Sequence, residues 1–176
     1  MKVERGELFR YEVRALAALP WPAGLGKDEI PGLRRAMRDL LKAECDNPAA
    51  HERAFATDAR YRAVVDQWLS QASWSPSVVE VVSGATAFAH GVGCLGQAVE
   101  EGDWIDSART HCDDHDIPHG ARWDGGRFVA GDYLLFPITV CDEAKGIDDG
   151  RHRLTYLRLR ERDGSGPSEI LVKVSL

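Results

Sequence analysis

The sequence contains no apolar run near the roughly 18 residues that a membrane-spanning helix needs. No charged segment followed by an apolar core opens it, so no secretory leader is expected. Its four cysteines, Cys45, Cys94, Cys112 and Cys141, form no CxxC pair and follow no regular spacing. That excludes a zinc ribbon and gives no reason to expect a disulfide framework. There is no GxSxG nucleophile elbow, no internal repeat and no low-complexity tract. A broad basic surface is also missing. Residues 1–75 are nearly neutral, residues 76–150 carry a net charge of −10, and only residues 151–176 are net basic, at +3. Bulk attraction to nucleic acid or to an anionic membrane is therefore not expected. These absences point to a cytoplasmic protein without a membrane partner.

What remains is a chain of 176 residues with 44 % hydrophobic and 28 % charged side chains, the composition and size of one globular domain. In "ELFRYEVRALAALPWP", Phe9, Tyr11 and Val13 alternate with Arg10, Glu12 and Arg14, the period of a half-buried strand that Pro20 and Pro22 end. The period then changes. Leu33, Met37, Leu40 and Leu41 recur at helical spacing behind Pro31, which suits a first turn. Asn47-Pro48 stops that helix. A second stripe of Tyr61, Val64, Val65, Trp68 and Leu69 follows, with Thr57 or Asp58 as its N-cap. From Val78 onward, "VVEVVSGATAFAHGVG", "GRFVAGDYLLFPITV", "RHRLTYLRLRER" and "SEILVKVSL" read as short β-type runs between Gly, Asp and Pro clusters. The expected fold is α+β in a single domain over residues 1–176. Residues 1–75 supply a strand and two helices, and residues 76–176 a mostly antiparallel β half, jelly-roll-like or an incomplete barrel.

Chemistry concentrates late in the chain. Five of six histidines and three of four cysteines lie between His90 and His152. In "THCDDHDIPHG", His111, His115 and His119 are spaced by four, as on one face of a zinc-binding helix. Pro118 falls inside the second turn of such a helix and argues for a loop or strand end instead. On a strand, His111 and Asp113 share a face and could grip one metal. An HxD pair with a distant histidine is the ligand pattern of non-haem iron oxygenases. With "GRFVAGDYLLFP" and "GRHRLTYLRLR", this resembles a degenerate jelly-roll dioxygenase. That resemblance implies iron or zinc held by His111 and Asp113 with one of His115, His119 or His152. Where the family has its second histidine, Cys141 and Asp142 stand. The plainer alternative is a solvated acidic loop.

The glycines of "HGVGCLG" (Gly91, Gly93, Gly96) match GxGxxG, but "QAVEEG" is too short for the helix a dinucleotide loop needs, so a turn is expected. Cys94, Cys112 and Cys141 are possible thiolates, with small buried cysteines the commoner case. "RHRLTYLRLRER" reads either as an edge strand protected by charge or as a clamp for an acidic partner, with Arg153, Arg158 and Arg160 as the binding residues.

"LFRYEVRALAALP", "RAFATDARYRAVVDQWL" and "SWSP" together resemble the opening of class I lanthipeptide dehydratases, over about the first 80 residues. The several hundred residues of that family's catalytic machinery have no counterpart here. The resemblance implies a small, truncated relative that binds a ribosomally made precursor peptide, or a pathway enzyme, without dehydration chemistry or a cofactor of its own. A non-catalytic peptide-binding accessory protein of a peptide natural-product pathway is the first expectation. The jelly-roll metalloprotein is the second.

Overall fold

The computed structural model describes residues 7–26, 30–120, 129–143 and 146–176. Strand β1 (Leu8–Ala15) buries Phe9 and Tyr11, as its alternation requires, and a single 3-10 turn carries it into the Pro20–Pro22 segment. Helix α1 (Pro31–Leu41) starts with Pro31 in its first turn and buries Leu33 and Met37. Helix α2 (Pro48–Thr57) is capped by the Asn47 side chain, which accepts from the Ala49 amide. Asp58 caps helix α3 (Ala59–Leu69) by accepting from the Arg60 amide, so the two helices meet end to end there. Tyr61, Val65 and Leu69 form the buried stripe of α3.

The described residues of the first half thus hold three α-helices where two were expected, because Asn47-Pro48 both follows the end of α1 and starts α2, and the second half departs further. "VVEVVSGATAFA" is helix α4 (Val78–Ala89), with Val78, Val81, Val82, Ala85, Thr86 and Ala89 buried at positions three and four apart. The strand preference of its β-branched residues yields to that helical stripe and the packing it permits. A turn over residues 90–97 leads to a three-residue strand, β2 (Ala98–Glu100), and helix α5 (Glu101–Asp114) follows at once. Within "GRFVAGDYLLFPITV", residues 126–128 lie outside the described residues, Ala130–Leu135 form helix α6, and only Ile138–Cys141 are strand β3. Strand β4 (Gly146–Asp149) precedes "RHRLTYLRLRER", which is helix α7 (Arg151–Arg162) and no edge strand. "SEILVKVSL" does form a strand, β5 (Glu169–Ser175).

The result is a mixed α+β fold with one open five-stranded sheet, ordered β2-β1-β5-β3-β4. Every neighbouring pair is antiparallel except β3 and β5. β5 is central and pairs with β1 along seven residues, so the first and last strands of the chain lie side by side. Beyond the reach of β3, the Leu171 amide donates to Thr86 Oγ1 at 3.0 Å, and Tyr133 Oη donates to the Leu171 carbonyl at 2.9 Å. Helices α4 and α6 thereby satisfy the backbone groups of Leu171 that β3 does not reach. Tyr11 stacks flat on Trp104 of α5, with ring centroids 4.1 Å apart. From the opposite pleat of β1, Arg14 makes a two-pronged pair with Asp142 at 2.6 and 2.7 Å and also meets Glu12. Helix α7 packs on α3, α4 and the turn after β1, and all its residues from His152 to Leu159 are buried. No helix among the described residues is long and apolar enough to cross a membrane.

Candidate functional site

The histidine segment is not a strand. Helix α5 runs to Asp114, and His115 is its C-cap residue. His111 and Asp113, two apart on a helix, point about 200° from each other around the axis and cannot share a face. His111 is seated on the end of α4. Its ring bonds to the Phe88 carbonyl and lies so close over Gly91 that a Cβ there would fall 2.2 Å from it. Burial and the neighbouring His115 ring, whose centroid is 4.2 Å away, hold the His111 pKa below the ordinary histidine value. His115 Nδ1 bonds to the His111 carbonyl at 3.0 Å, and His119 pairs with Asp113 at 3.5 Å. Downstream, the Gly131 amide donates to the Pro118 carbonyl and the Gly120 amide to Asp132, which ties residues 118–120 to α6. His152, the distant histidine, accepts the Gly26 amide on Nε2 at 2.9 Å. Among the described residues no group of three or more His, Cys, Asp or Glu side chains is placed to hold a metal ion. The residues present do not fit the facial triad. The Gly91–Gly96 segment is a turn, but not for the expected reason: a 14-residue helix, α5, does follow with Gly102 inside it, and what a dinucleotide loop lacks here is a preceding strand, since helix α4 leads into the turn. All four cysteines are free, with Cys112 buried and its thiol pushed up by desolvation.

The arginines of α7 are the informative group. Arg153 donates to Asp149 at 2.8 Å, one turn before it. Arg160 is paired with Asp66 of α3 and lies 4.7 Å over the Tyr156 ring. Arg158 differs from both. It is only 4 % exposed and contacts no carboxylate among the described residues. Its Nη2 donates to the carbonyls of Leu19 (2.6 Å), Leu16 and Pro20 (both 3.2 Å), which gathers the chain where β1 ends. Its guanidinium lies 4.0 Å from the Trp21 ring centre, a cation–π contact. Its Nη1 has no hydrogen-bond partner among the described residues. Burial lowers the Arg158 pKa to about 10, against the opposing pull of Glu52 and Glu161, so the side chain stays charged at neutral pH.

Arg158 forms part of the wall of an open cleft of about 400 Å³, lined also by Ala17, Trp21, Phe55, Glu161 and Arg162. That volume is in the range of small-ligand and side-chain sites. A smaller cavity, beside Leu25 and Asp46, offers only about 20 Å³, room for a single water. The Trp21 and Phe55 rings form one aromatic wall, their centroids 5.2 Å apart and tilted by 52°. Arg162 is exposed and makes no ion pair among the described residues. Behind Phe55 stands a buried pair: Tyr61 Oη donates to His51 Nδ1 at 2.7 Å, and His51 Nε2 donates to the Cys45 carbonyl at 2.8 Å. Both ring nitrogens of His51 are thus used, and burial lowers its pKa.

Of the three arginines that the sequence offers as a clamp, the fold brings Arg158 to this cleft and commits Arg153 and Arg160 elsewhere. Trp21 and Phe55 are the cleft residues that pattern reading passes over, whereas Arg162 belongs to the arginine-rich run itself. A signal for Trp21 exists: a tryptophan between two prolines sits in no regular element and owes its place to a contact. Comparison with protein-family models, with curated proteins and with solved structures found no match to this chain.

Proposed function

We propose that the protein is a non-catalytic peptide-binding accessory protein, acting on a precursor peptide of a ribosomal peptide natural-product pathway. The pathway assignment follows from the N-terminal resemblance to lanthipeptide dehydratases. The binding assignment is supported by one observation, the open cleft of Trp21, Phe55, Arg158 and Arg162. Its lining offers two aromatic faces, guanidinium donors and one carboxylate, a set suited to holding a ligand. Aromatic and arginine side chains dominate the energetics of peptide and protein recognition because they desolvate large areas at low entropic cost. Half-buried Trp21 and buried Phe55 have the amphipathic setting such anchors need.

Isothermal titration of the purified protein with the precursor peptide encoded beside its gene tests this reading. Trp21→Ala and Phe55→Ala are expected to weaken binding at least tenfold, in line with loss of an aromatic anchor. Absence of binding by the unmodified protein, or an affinity of both variants equal to that of the unmodified protein, contradicts the proposal.

A further inference from the structure

The polar groups of the cleft say more about its ligand than its aromatic wall does. Arg158 is a buried cation that no carboxylate contacts among the described residues, and its Nη1 lacks a hydrogen-bond partner there. Buried charges are ordinarily paired, and a buried donor without an acceptor is uncommon. Arg162 lines the same cleft and makes no ion pair among the described residues. Glu161, the one acidic lining residue, offsets a single positive charge and leaves the lining at a net +1, while Glu52 pulls on Arg158 from outside the lining. That balance leaves room for no more than a monoanion. A dianionic phosphate would meet Glu161 with surplus negative charge. A planar carboxylate also matches the fork of a guanidinium.

We infer that the peptide bound in this cleft presents a carboxylate beside an apolar side chain. Arg162 supplies the donors, Arg158 supplies the buried charge in the cleft wall, and the Trp21–Phe55 surface takes the apolar group. The inference rests on the peptide-binding reading above and adds the chemistry that the ligand must carry. The carboxylate comes either from a peptide C-terminus or from an Asp or Glu side chain.

Three capped dipeptides separate the possibilities when titrated into the full chain and followed by NMR chemical-shift changes. They are N-acetyl-Leu-Phe as free acid, the same dipeptide as its amide, and N-acetyl-Glu-Phe-amide. At least one of the two acids is expected to bind more than tenfold more tightly than the neutral amide, and which one identifies the source of the carboxylate. Arg162→Gln is expected to abolish that preference. Arg162→Lys, which retains the charge but not the fork, is expected to keep part of it. Arg162 is exposed, so these variants are expected to fold. Equal affinity for acids and amide overturns the carboxylate inference and leaves the peptide cleft standing. An undiminished preference in Arg162→Gln also overturns it. Failure of all three dipeptides to bind a protein that does bind its precursor peptide places the peptide elsewhere and overturns the inference together with its site.

Discussion

Arg158 joins fold and site in one side chain. Its Nη2 closes the end of β1 by bonding three carbonyls, and its charge lies in the cleft wall. Replacing it by methionine, of similar length, leaves those carbonyls short of a donor. The expected loss is about 2–3 kcal/mol, the usual worth of hydrogen bonds from a charged group. In a chain of this size that lowers Tm by roughly 5–10 °C, which differential scanning calorimetry would read. A shift under about 1 °C contradicts the role given to those bonds. His51 predicts a pH response. Its folded pKa lies below the unfolded value, because burial favours the neutral ring and outweighs the opposing pull of the Cys45 carbonyl and Asp46. As pH falls through the unfolded value of about 6.5, the unfolded chain takes up a proton that the folded one resists, so stability decreases. The decrease levels off only below the folded pKa. His111 is shifted in the same direction. The drop in Tm between pH 7.5 and 5 is therefore expected to be smaller in His51→Gln than in the natural protein, though not zero. An identical drop in both contradicts the assignment.

Among the elements, α4 and α7 show what glycine does at a helix end and inside one. Gly150 caps the start of α7 with φ +84°, and a Cβ there would lie 2.6 Å from Ile138 Cγ1 in the core. Gly84, inside α4, has its nearest neighbour for such a Cβ at 3.6 Å. The same substitution is expected to act with opposite sign. Gly150→Ala adds a left-handed penalty of about 1–2 kcal/mol plus the clash with Ile138. Gly84→Ala stabilises by about 0.5–1 kcal/mol through helix propensity. Urea denaturation of both variants checks the pair; equal signs contradict the account. These two helices also show where pattern reading succeeds and fails. β1 and α1 were legible because each has one buried side, the cap at Asp58 because it is the residue type that local geometry demands, and β5 as a short apolar run although both its faces are buried. In α4 the stripe from Val78 to Ala89 was present, but the valine run imitated a strand. In α7 every residue from His152 to Leu159 is buried, so no face contrasts with another, and Arg158 and Arg160 alternating with Leu157 and Leu159 reproduce a period of two. The end of α5 departs from its pattern for a different reason: Pro118, which would break a helix interior, lies beyond the last turn of α5.

The molecule as a whole is closed by β5, inserted between β1 and β3. Neither half of the chain can complete the sheet alone, because β1 in the first half depends on β5 in the second for seven paired residues. A fragment of residues 1–75 is therefore expected to show no cooperative thermal transition, whereas the full chain unfolds in one. The cleft depends on the same closure: Trp21 follows β1, Phe55 belongs to α2, and Arg158 and Arg162 belong to α7. Its position allows a direct test by NMR. The protein has five tryptophans, and the indole signal of Trp21 can be assigned from Trp21→Phe. That of Trp104, buried and donating to the Leu134 carbonyl, serves as an internal reference. On addition of the precursor peptide, the Trp21 indole and the Arg158 and Arg162 guanidinium signals are predicted to shift together along one saturable curve while Trp104 stays fixed. Saturable binding with those three signals unmoved, and the largest changes instead at His111 and His115, would contradict the central claim that this cleft is the site.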